Sequence, residues 1–171
     1  MDGVLSFETQ INKLVKVCFM TLKKLHQVKE YFSKEHLQQL VASLILSPID
    51  YCNSLYYRVL SSLMKKLQHV QNCAVRLVMK QRIPAGGIDG VLMSLHWLTV
   101  RYRCIFKLLV IVYNCLHGAA PVEIMALIQH GDSIRTMNLR ETNYSNKFGV
   151  RAFSHIGEDV ELVAKVYSGY Q

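Results

Sequence analysis

Over most of residues 6–130 apolar positions recur at three- and four-residue steps, the period of an α-helix with one buried face. After Ser6, the residues Ile11, Leu14, Val15, Cys18, Leu22 and Leu25 share a face, while Lys13, Lys16, Lys23 and Lys24 fall on another side. Ser33 reads as the N-cap of a second helix, with Glu35 in the first turn, where the helix dipole favours an anion. Its apolar face is Leu37, Leu40, Val41, Leu44 and Ile45. Pro48 cannot donate to the helical ladder and is expected to kink or end this helix near Leu46, with the pattern resuming through Ile49, Cys52 and Leu55. A third helix, capped by Ser61 or Ser62, places Leu63, Leu67, Val70, Ala74, Leu77 and Val78 on its core side. It should stop near Gln81, before the breaker Pro84-Ala85-Gly86-Gly87.

A short helix is expected over 91–98, and the longest apolar helix over about 99–116. That last helix is apolar on nearly all sides and is expected to be the central one, with Ile105, Leu108, Leu109 and Val112 the most buried residues. Gly118 suits a left-handed C-terminal stop, and Pro121 suits the first position of another short helix. Periodicity fades from Gly131 onward, apart from a short helix expected near Val160–Val166. The fold read from this pattern is all-α: an irregular bundle of four or five helices around a central apolar helix, followed by a loop-rich tail. Residues 1–130 form the helical domain and 131–171 the tail.

Composition narrows the function classes. Of the 171 residues 51% are hydrophobic and 19% charged, so the chain can bury a core and is not disordered by composition. The net charge of +8 points to an anionic partner. Residues 1–80 hold 11 Lys and Arg against 5 Asp and Glu, while residues 131–171 hold 5 of each, so the basic excess belongs to the helices. Five cysteines, an odd number without a C-x-x-C, in apolar helical contexts suit reduced, buried thiols inside the cell. No metal-ligand spacing, cofactor motif or signal peptide is legible, and the apolar window from Cys104 to Leu116 is too short to span a bilayer and carries Lys107. The expected setting is therefore cytoplasm or nucleus, without a membrane.

At about 100° per residue, Lys65, His69, Arg76 and Lys80 cluster on one flank of the third helix and form the strongest candidate stripe for phosphate contacts. Lys13, Lys16, Lys23 and Lys24 form a second candidate face on the first helix. The alternative for both is a solvated helix face. Cys52, in Asp50-Tyr51-Cys52-Asn53, has no histidine at useful spacing and is read as apolar packing rather than a nucleophile. Trp97 is read as core, with the His96 imidazole hydrogen-bonded at a helix end.

Three strings are more specific than periodicity: Asp50-Tyr51-Cys52-Asn53-Ser54-Leu55, Leu67-Gln68-His69-Val70-Gln71-Asn72-Cys73-Ala74-Val75-Arg76-Leu77, and Leu95-His96-Trp97-Leu98-Thr99-Val100-Arg101-Tyr102-Arg103. In this order and spacing they resemble the C-terminal part of the reverse transcriptase of non-LTR (LINE-type, jockey-like) retrotransposons. Leu5-Ser6-Phe7 with Ile11, Tyr113 to Pro121, and Gly149-Val150-Arg151-Ala152-Phe153-Ser154 are similar to flanking family blocks. The resemblance covers about residues 1–154. It implies the helical thumb and downstream segment, which in relatives grips the primer–template duplex. It also implies that polymerase chemistry belongs to a palm whose paired aspartates have no counterpart here. Asp2, Asp50, Asp89, Asp132 and Asp159 are far apart in sequence, and a two-metal site needs clustered carboxylates. Thr99 where the family has Pro, Pro48-Ile49, and Pro84-Ala85-Gly86-Gly87 depart from the family pattern and point to a decayed or captured fragment.

The expected function is non-catalytic: weak, sequence-independent binding of an RNA or DNA backbone through the basic helix faces. The alternatives are a helical protein-interaction module and a translated relic with no selected function. Apolar surface left uncovered on the first or central helix would favour self-association.

Overall fold

The computed structural model describes residues 7–57 and 59–124. All regular elements there are helical: α1 (Glu8–Val28), α2 (Lys34–Val41), α3 (Ser47–Asp50), α4 (Ser61–Met79), α5 (Ile88–Ser94) and α6 (Val100–Leu116). Six α-helices stand where four or five were expected, because the second helix is interrupted. Residues 42–46 form a π-turn between α2 and α3, in which Ser47 N donates to Ala42 O. The cause is Pro48. It has no N–H and its ring would meet the carbonyl four residues back; the wider π-turn accommodates both, so the rod continues to Asp50 instead of ending near Leu46. The tail from 131 and the helix expected at 160–166 lie outside the described residues.

The chain divides into two compact units. The first comprises residues 7–52 and 59–101, with α1 to α5. Its core helix is α4, which packs against α1, α2 and α5 and buries Leu63, Leu67, Val70, Ala74, Val75, Leu77 and Val78. Facing residues include Ile11, Cys18, Leu22 and Leu25 of α1 and Leu37 and Val41 of α2. Asn12 Oδ1 accepts from Lys66 Nζ at 2.8 Å, the Phe19 ring meets the His69 ring at 5.7 Å, and Glu30 lies 3.7 Å from Lys80 Nζ. These contacts occur in the same order along both helices, so α1 and α4 run parallel.

Caps fix the helix ends. Ser33 Oγ accepts from His36 N at 3.3 Å, as expected of an N-cap. Hydrogen bonds from its own backbone and then from Ser33 hold the Glu35 carboxyl below its ordinary range. The N-cap of α4 is Leu60, whose carbonyl receives Leu63 N at 2.9 Å; Ser61 and Ser62 are exposed residues of the first turn, not caps. His96 ends α5 at φ 55°, donating its backbone N–H to Met93 O at 2.9 Å, while Trp97 N reaches Leu92 O at 2.8 Å. This is a Schellman closure, with His96 as its left-handed residue and Trp97 buried after it. The hydrogen bond expected at that helix end is therefore made by the main chain of His96, and its ring is exposed.

The segment 95–100 that follows α5 is held by side-chain amides. Gln71, fully buried, donates to Leu98 O at 2.8 Å, and Gln68 Oε1 accepts from Val100 N at 3.0 Å. Gln68 Nε2 also reaches Gln71 Oε1 and Asn72 Oδ1, and Gln38 Nε2 reaches Leu95 O at 3.4 Å.

The second unit holds 53–57 and 102–124 of the described residues, including most of α6. Cys104, Ile105, Leu108 and Cys115 are buried there, and Asn53 and Tyr56 in a short 3-10 turn. Leu109 and Val112 are only half-buried and Tyr113 is 60% exposed, so α4 rather than α6 carries the most buried side chains among the described residues. Gly118 closes α6 at φ 68°, with Ala119 N on Asn114 O at 2.8 Å. Pro121 directly precedes a helical turn at 122–124.

The cysteines are free thiols. Cys18, Cys104 and Cys115 are buried, and burial pushes the Cys18 and Cys115 thiols up. Cys73 is half-buried. Cys52 is exposed, at φ 54°, because the helix ends at Asp50 and the chain turns left-handed where apolar spacing had placed a packed helical residue. Among the described residues no helix is long and apolar enough to cross a membrane.

Candidate nucleic-acid interface

Parallel packing brings the C-terminal halves of α1 and α4 side by side, and a groove of about 550 Å³ opens between them. Its basic lining is Lys23 and Lys29 from α1 and the turn after it, and Arg76, Lys80 and Arg82 from α4 and its exit, with the His26 ring beside them. Phe19, Leu22, Cys73 and Leu77 supply the apolar part of the lining.

The placement of these side chains follows from local structure. On α1, Leu22 and Leu25 face the core, which leaves Lys23 and His26 on the flank toward α4. Arg76 is half-buried and its Nε donates to Ile83 O at 3.1 Å, pinning the exit of α4 against the helix. Lys80 sits past the last helical residue at φ 53°, its N–H on Leu77 O at 3.2 Å. That left-handed turn carries the chain on to Arg82 at the same groove.

One carboxylate tempers the cluster. Glu30 lies 3.8 Å from Lys29 Nζ and 3.7 Å from Lys80 Nζ, and is largely exposed. Two helix C-termini also end here, each equivalent to about half a negative charge. Against five Lys and Arg, this leaves roughly three positive charges to face a ligand.

The sequence-derived candidates separate into two sets. Lys23, Arg76 and Lys80 meet in the groove. His69 is exposed and belongs to its margin through the Phe19 ring and through Cys73 Sγ, 3.9 Å from His69 Nε2. Lys65, Lys13, Lys16 and Lys24 are exposed and stand outside it. His26, Lys29 and Arg82 join Lys23, Arg76 and Lys80 in the groove; the helical periodicity does not single them out, although each lies within a few residues of a helix end where basic side chains gather.

Against protein-family models, curated proteins and solved structures, the chain finds no match.

Proposed function

We propose that this chain is a non-catalytic, reverse-transcriptase-derived helical protein that binds nucleic-acid backbones through the groove between α1 and α4. The observation that carries this reading is the convergence of Lys23, Lys29, Arg76, Lys80 and Arg82 on one concavity, beside which Glu30 pairs with Lys29 and Lys80. A cleft lined by one sign of charge over apolar walls concentrates anions, and Lys and Arg contact phosphates without reading sequence. The ancestry reading rests on the family-like strings. It is supported by their joint work in this fold: Gln68 and Gln71 of one string hold Leu98 and Val100 of another.

Binding to an RNA–DNA hybrid tests the proposal. About three neutralised phosphates give a log–log salt slope near −3, and affinity should be weak, roughly 10⁻⁴ to 10⁻⁶ M. The double variant Lys23→Gln, Arg82→Gln should flatten the slope by roughly 2. Binding indifferent to salt, or an unchanged slope in the variant, would refute the groove as the interface. A second reading, a protein-interaction module, draws on Val17 and Met20, both more than half exposed on α1 among Lys13, Lys16 and Lys24. It would move ahead in that event.

A further inference from the structure

We infer that the groove takes single-stranded nucleic acid, a few nucleotides with unstacked bases, in preference to duplex. This rests on the nucleic-acid reading above and narrows its ligand. Three features carry it. The first is shape: the site is a concavity of about 550 Å³ between two helices, whereas a duplex is a convex rod that presents phosphates on its outside and reaches fewer of the lining groups than a flexible single strand does. The second is the lining. A purely phosphate-binding surface needs only cations, yet here Phe19, Leu22 and Leu77 line the same concavity as the basic side chains. Phosphates suit the basic part of the lining, and a base suits the apolar part.

The third feature is Phe19 itself. It is 36% exposed on a helix that buries Ile11, Cys18, Leu22 and Leu25, and its ring meets His69 at 5.7 Å with a 50° tilt. An aromatic side chain left accessible at the edge of a basic groove is the platform on which bases stack, and stacking tolerates any sequence because every base has a π-face. Lys23 and Arg76 share the lining with Phe19, so the cations for phosphates flanking a stacked base belong to the same groove. The groove follows α1 from Phe19 to Lys29, about 15 Å at the helical rise per residue, which is room for a few nucleotides only.

The test compares oligothymidylate with an RNA–DNA hybrid of equal strand length, using the parent chain, Phe19→Ala and Phe19→Tyr. The inference expects tighter binding of the single strand. It also expects a five- to hundred-fold loss, roughly, in Phe19→Ala that the hybrid does not share, and near-parent binding in Phe19→Tyr. Circular dichroism of Phe19→Ala should match the parent, since the residue lies at the surface. Equal or tighter hybrid binding, or no effect of Phe19→Ala on the single strand, overturns the inference and leaves the basic-groove reading standing. If neither probe binds, both fall.

Discussion

Lys80 closes α4 in the left-handed region and at the same time puts its ammonium on the groove. The two roles can be separated. A left-handed backbone costs a residue with a Cβ about 1–2 kcal/mol, and the extra unfolded-state freedom of glycine takes back about 0.5–1 kcal/mol. Lys80→Gly should therefore stabilise the fold by up to about 1 kcal/mol in urea unfolding, the exposed contact with Glu30 being worth little. The same change removes one phosphate contact, so the salt slope on hybrid should flatten by about 0.9. A variant that loses stability would show that the turn needs the lysine side chain; one that keeps the parent slope would place Lys80 outside the interface. Residue-level signals were readable where a side chain acts on its own backbone. Ser33 is such a case, its hydroxyl bonded to His36 N. Ser61 and Ser62 were not, because two adjacent serines cannot say which carbonyl starts the ladder, and the chain enters α4 one residue earlier, at Leu60. Cys52 was misplaced for a related reason: the π-turn at 42–46 and the stop at Asp50 break the spacing that had put it on an apolar face.

Among elements, α4 does two jobs with adjoining faces, a core face and a groove face that share Leu77, while its Gln68 and Gln71 hold the start of α6. Gln71 is fully buried and its amide bonds are made to Leu98 O and Gln68 Nε2. Gln71→Ala leaves the Leu98 carbonyl without its donor and opens a void. It should cost about 1–3 kcal/mol in chemical denaturation, with faster hydrogen exchange at Val100 N as the segment 95–100 loosens. A cost below a few tenths would mean that water replaces the amide and that the segment is set by packing alone. Periodicity located α1, α4, α5 and α6 within a few residues, since each has one face that must be covered. It could not rank them by burial. The nearly uniform apolarity of α6 says that any of its faces could be buried, not which one is, and Phe106 and Tyr113 are in fact exposed. The polar clamp was invisible for the opposite reason, a glutamine on the core side of a helix having no periodic signature that distinguishes a partner from a flaw.

At the scale of the molecule, the net +8 gains meaning only when the charges are placed. Each basic face was legible on its own helix. The groove was not, because nothing local relates His26 and Lys29 to Lys80 and Arg82, more than fifty residues apart. Parallel packing of α1 and α4 joins them, and leaves Lys13, Lys16 and Lys24 on a separate solvent-facing side. The central claim is that the groove, rather than that outer side, meets the nucleic acid. Titration of isotope-labelled protein with oligothymidylate, followed by amide chemical shifts at low salt, addresses it most directly. The account predicts perturbations confined to Phe19–Lys29 and Cys73–Arg82, reversed by added salt. Perturbations centred on Lys13 and Lys16, with the groove silent, would contradict it.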